Sequence, residues 1–96
     1  MNTDTARTVK EIKENGWYIL STAIDGEGWV ELIEHGINDW KWYELIFMSQ
    51  GYVASCVKAQ DDETALKAFS KLFHLDIPYV IRRVEKMVVY EMTEGE

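Results

Sequence analysis

Two apolar runs, Lys41 to Met48 and Tyr52 to Ala59, meet at Ser49-Gln50-Gly51. Both are rich in aromatic and β-branched residues, and the glycine between them supplies the permissive backbone that a tight reversal needs. The pattern therefore predicts a β-hairpin. Alternation sends Tyr43, Leu45 and Phe47 to one side of it and Trp42, Glu44, Ile46 and Met48 to the other. Downstream, Ala65, Leu66, Phe69, Leu72 and Phe73 recur at helical spacing. They predict a helix near residues 62–73 whose apolar stripe lies across one hairpin face. Asp61 and Asp62 stand where carboxylates cap first-turn amides, and Lys67 and Lys71 fall on the solvent side. One helix covers only one face of a sheet, so the other face is left for the N-terminal helix or for a partner.

The remaining pattern is weaker. Thr3 or Asp4 caps a predicted helix that runs to about Glu14 and ends at Asn15-Gly16, with a thin apolar edge of Ala6, Val9 and Ile12. Trp17 to Ile24 reads as a strand, closed by an Asp25-Gly26-Glu27-Gly28 turn, and Trp29 to His35 as a second strand paired back on it. Trp29, Leu32 and Ile33 also fit helical spacing, with Gly36 as a C-cap. The segment is roughly seven residues long, a length that favours a strand. His74 to Pro78 is a connector. From Tyr79 to Met92 both periods fit, with Val80, Val84 and Val88 at helical spacing and Met87 to Tyr90 as a buried run. A final strand near 86–92 is expected, followed by a disordered Thr93–Glu96 tail. The chain is thus expected to form one α+β domain over residues 1–96: an antiparallel sheet of four to five strands with its helices mainly on one side.

Composition agrees with a folded domain. A 96-residue chain with 47% hydrophobic and 28% charged residues can close a core and is too apolar for wholesale disorder. Cys56 is the only cysteine, which excludes an internal disulfide and suits a reducing, cytoplasmic setting. No export signal is visible at the N-terminus, and no apolar run approaches the ~18 residues of a membrane span.

The net charge of −7 is unevenly placed. Residues 25–44 hold six acids against one base, whereas residues 1–24 are balanced and residues 45–96 carry only a small excess of acid. Such a field repels nucleic acid and anionic membranes and attracts basic surfaces. Trp40 and Trp42 lie in the same stretch, beside Asp39 and Glu44. They are either core residues, as aromatics in small domains commonly are, or anchors ringed by acids at an interface with a basic partner.

Catalytic and metal chemistry finds no foothold. His35 and His74 have no companion ligands at zinc spacing, and Asp25, Glu27 and Asp39 lack the full ligand series of a calcium loop. Cys56 alternates with Tyr52 and Ala54 and reads as a small buried hydrophobe. Ser49, Ser55 and Ser70 lack a nucleophile-elbow context, and no glycine-rich phosphate loop exists. No catalytic, cofactor or metal residue is assigned.

Lys67, Lys71, Arg82, Arg83 and Lys86 form one basic cluster. With it, the predicted order of helix, strands and helix resembles the plan of double-stranded-RNA-binding domains, whose second helix offers lysines to phosphate. This chain places Asp61-Asp62-Glu63 at that position instead, which would repel phosphate. In size and acidity the chain is similar to the small inhibitors with which phages disable nucleic-acid-binding defence machinery, the anti-CRISPR and DNA-mimic proteins. That resemblance implies carboxylates displayed where a phosphate backbone would sit, with Asp25, Glu27, Glu31, Glu34, Asp39 and Glu44 as the candidates beside Trp40 and Trp42. The expected function is non-enzymatic binding to a protein with a basic, nucleic-acid-binding surface. Direct nucleic-acid binding through the basic cluster and a homo-oligomeric accessory role, with a dimer through the uncovered sheet face, are the alternatives.

Overall fold

The computed structural model describes residues 3–84, with side chains from residue 8 onward. Its elements are α1 (Thr3–Asn15), β1 (Trp17–Ile19), α2 (Gly26–Glu34), a 3-10 turn (Ile37–Asp39), β2 (Lys41–Phe47), β3 (Val53–Ala59), α3 (Asp62–Leu72) and β4 (Tyr79–Val84). The architecture is α+β. The strands form one antiparallel sheet in the order β1-β3-β2-β4.

The central hairpin is the one its alternation predicts. Tyr43 faces Val57 across it, and Gly51 takes the positive φ of +74° that a side chain would resist. The register slips between Leu45 and Ile46, whose partners are Ser55 and Val53, so Ala54 is the extra residue of a bulge. Tyr43, Leu45 and Phe47 point to the face that α3 covers. There Ala65, Ala68 and Phe69 are fully buried against Val57 and Ala59. The stripe differs from the expected one: Leu66 and Leu72 sit on exposed flanks, and Ala68 takes the inner position. Ala65 and Ala68 are small where α3 meets the sheet, and Phe69 is the one large ring that this helix buries there.

The region before the hairpin departs from expectation. Residues 29–35 are not a strand but most of α2, and the Asp25-Gly26-Glu27-Gly28 segment is that helix's start rather than a hairpin turn. Asp25 is the N-cap, its carboxylate accepting from the Gly28 amide at 2.8 Å. Gly36, at φ +92°, follows the helix end. The strand expected over 17–24 stops at Ile19, where Thr22 N–H donates to the Ile19 carbonyl and turns the chain away. Trp17 and Ile19 join the α3 core, whereas Tyr18, on the opposite face, packs with Val9, Ile12, Leu32, Ile37 and Trp40. Helices therefore lie on both faces of the sheet: α3 on one, and α1 with α2 on the other at the β1 end.

Residues 79–84 form β4, paired along its whole length with β2. The strand expected near 86–92, the 93–96 tail, and the side chains of Thr3, Asp4 and Ala6 lie outside the described residues.

Candidate functional site

Helix α2 is held from beneath and open above. Gly28 and Leu32 face inward, and a Cβ on Gly28 would meet methyl carbons of Ile24 at 2.8 Å and Val9 at 2.9 Å. This close seat turns the other residues outward. Trp29, Val30 and Ile33 are 38%, 56% and 47% exposed, a ridge of large apolar side chains at i, i+1 and i+4. Beside it run Glu27, Glu31 and Glu34, also exposed and one helical turn apart. Trp29 is braced edge-on against Tyr18, with ring centroids 6.1 Å apart at 82°, so its position is fixed although one face is open. Tyr18 in turn leans on Trp40 at 6.1 Å, and burial raises its phenol above the ordinary 10.0.

The residues expected to form the site are divided by the fold. Glu27 and Glu34 are exposed on α2, and Asp39 is exposed in the 3-10 turn. Glu31 shares that surface but pairs with Lys13 of α1 at 2.7 Å. Asp25 spends its carboxylate on the helix cap. Trp40 is a core residue and no anchor, buried because the 3-10 turn folds it onto Tyr18. Trp42 and Glu44 lie elsewhere, half-buried on the sheet face opposite α3. There Glu44 is only 15% exposed and accepts from Arg82 Nε at 2.9 Å. A carboxylate so held is not available to mimic a phosphate.

The sheet face around Glu44 has chemistry of its own. Cys56 is half-buried rather than buried, its thiol 4.0 Å from a Glu44 oxygen, and the indole N–H of Trp42 is enclosed without an acceptor among the described residues. On the α3 side, an open cleft of about 320 Å³ lies between the helix and β4, lined by Tyr43, Asp62, Leu66, Tyr79, Ile81 and Arg83. Tyr43 donates to Asp62 at 2.6 Å in its wall, and Arg83 lies 3.9 Å from the same carboxylate. Burial, reinforced by Asp62, holds the Tyr43 phenol above its ordinary pKa.

The basic cluster is not assembled. Lys67 and Lys71 are on α3, Arg82 and Arg83 point to opposite faces of β4, each beside a carboxylate, and Lys86 lies outside the described residues. Among the described residues no group of three His, Cys, Asp or Glu side chains could hold a metal ion, and no helix is long and apolar enough to cross a membrane.

A strand over residues 29–35, which the length of the segment favours, hides the α2 apolar ridge. Their three/four spacing was the signal that could have found it. Compared with protein-family models, curated proteins and solved structures, the chain matches none.

Proposed function

We propose that this chain is a non-enzymatic binding module that lays the outer surface of α2 against a basic, nucleic-acid-binding surface of a larger protein, in the manner of a small inhibitor. One observation carries the reading: a braced, exposed apolar ridge, Trp29, Val30 and Ile33, runs alongside an acidic ridge, Glu27, Glu31 and Glu34. Interfaces combine desolvated aromatic anchors with a charged rim, and helix faces of this kind dock into grooves. The acids steer encounter with a positive partner and the ridge supplies contact area. Asp39 extends the acidic side. A lone cysteine suits a reducing, cytoplasmic setting for this role.

Direct nucleic-acid binding has less support, since Arg82 and Arg83 diverge and acids are prominent at the start of α3. Capture of proteins from lysate on the immobilised chain, eluted stepwise with salt and with duplex DNA, tests the reading. Nucleic-acid-binding proteins released by either agent are expected, because exposed charge attraction is screened over roughly 10 Å at 0.1 M salt. Retention that neither salt nor DNA disturbs would contradict it.

A further inference from the structure

The reversal end of the central hairpin is apolar and carries no charge. Residues 45–57 and 77–81 contain no Asp, Glu, Lys or Arg, in a chain of which 28% is charged. Val53 and Val80 both pair with Ile46, one on each side, so the three side chains form a row across β3, β2 and β4 on the sheet face opposite α3. Val53 is 37% exposed and Val80 44%, and at the reversal itself Met48 is 60% and Tyr52 64% exposed. The acids are at the other end. There Trp17 and Lys41 both pair with Ala59, and α1 and α2 pack with Tyr18 and Trp40. The seven residues of β2 hold the two ends about 20 Å apart.

We infer that two copies of this chain pack these hairpin ends together about a two-fold axis, with Met48, Tyr52 and the row of Val53, Ile46 and Val80 of one copy against the same side chains of the other. Charge selects this occupant. A partner recognised by its charge finds no complement at this end, whereas an uncharged apolar patch is complementary to itself, as a two-fold contact requires. Meeting here also keeps the acidic α2 surfaces of two chains of net charge −7 apart, and leaves each of them uncovered. The size of the patch sets the strength. Its exposed side chains amount to roughly 400 Å² per copy, the extent that on a monomer commonly marks a contact site. With the uncharged Ser49 and Gln50 at its rim, the contact buries about 1,000 Å² in total, at the low end for specific interfaces. The dimer is therefore weak, with a Kd on the order of 0.1 mM.

Sedimentation of the full chain from about 10 µM to about 1 mM tests this, because a self-association must follow mass action. A rise from 11.2 kDa toward twice that mass is expected, and salt should promote it, since screening relieves the repulsion of two acidic chains and takes nothing from an apolar contact. Tyr52 is exposed and lies outside the strands, so charged replacements there leave the fold intact, as circular dichroism can check. Tyr52→Lys and Tyr52→Glu each bring a charge into the apolar contact, and both should weaken the dimer about tenfold or more although their signs are opposite. The NMR signals of the Met48 methyl and the Tyr52 ring should shift as concentration rises. A mass fixed at 11.2 kDa up to the highest concentration overturns the proposal. So does a dimer that the two Tyr52 variants affect in opposite directions, which would make the contact electrostatic, and so does one that both leave unchanged, which would place it elsewhere on the chain.

Discussion

Replacing Tyr43 with Phe removes one oxygen from the wall of the α3–β4 cleft, and the structure sets the size of the effect. The ring is buried at 1% exposure, and its hydroxyl donates to Asp62 at 2.6 Å. A hydrogen bond to a charged group contributes roughly 1.5–3 kcal/mol. Asp62, however, is 80% exposed, so water screens the bond and rehydrates the carboxylate once the phenol is gone. With no buried acceptor orphaned, the expected loss is about 1 kcal/mol. In a domain of this size that lowers the melting temperature by roughly 4–8 °C. Asp62→Ala should lose a similar amount, and the double variant little more than either alone, because both remove the same bond. The pH dependence has a definite sign. Burial and Asp62 raise the Tyr43 pKa above 10.0, so folding resists ionisation. This contribution is complete below pH 10 and is lost as pH rises from there through the folded value. The stability advantage of the wild type over Tyr43→Phe should shrink above pH 10; Tyr18, also raised, is present in both proteins and cancels. Equal melting temperatures at neutral pH, or a gap that widens above pH 10, would refute the reasoning.

Three further expectations rest on single positions. Gly28→Ala should destabilise by about 1–3 kcal/mol in urea unfolding despite the better helix propensity of alanine, because its Cβ would meet Val9 and Ile24 inside 3.0 Å. Phe69→Ala empties the fully buried centre of the α3 core and should cost about 3–5 kcal/mol, a large share of a small domain's stability, read as a lowered denaturation midpoint. The Asp61 carboxylate, lowered in pKa mainly by the Thr64 amide it accepts from, supports α3 above its unfolded value near 3.8 and loses that support as pH falls through the folded value. Asp61→Ala should remove this part of the acid sensitivity in a pH series of thermal melts.

The hairpin and α3 were legible because 41–47 and 53–59 are rich in aromatic and β-branched residues on either side of a reversal glycine, and 62–72 carries three/four spacing, although the buried stripe of α3 takes Ala68 in place of Leu66 and Leu72. α2 was not, because its nine residues are short enough for a strand and Asp-Gly-Glu-Gly serves equally as a turn or as a capped helix start. Tertiary contact decided between them. Leu32 docks with Val9 and Ile12, and Gly28 lets α2 close against α1, neither of which local spacing encodes. The candidate site was legible in part. Glu27, Glu31, Glu34 and Asp39 reach the surface as their charge suggests, but composition could not show that Trp40 is core, that Asp25 caps a helix, or that Glu44 is held by a residue 38 positions away.

The central claim is that the exposed surface of α2 is the working surface, and one comparison addresses it most directly: the affinity of wild type and of Glu27→Lys combined with Glu34→Lys for a captured basic partner, across a salt series. Glu31 is kept because it pairs with Lys13 within the fold. A loss of about tenfold or more at low salt is predicted, equivalent to about 1.4 kcal/mol, shrinking as charge is screened. Equal affinity of the folded variant and the wild type at low salt would contradict the account.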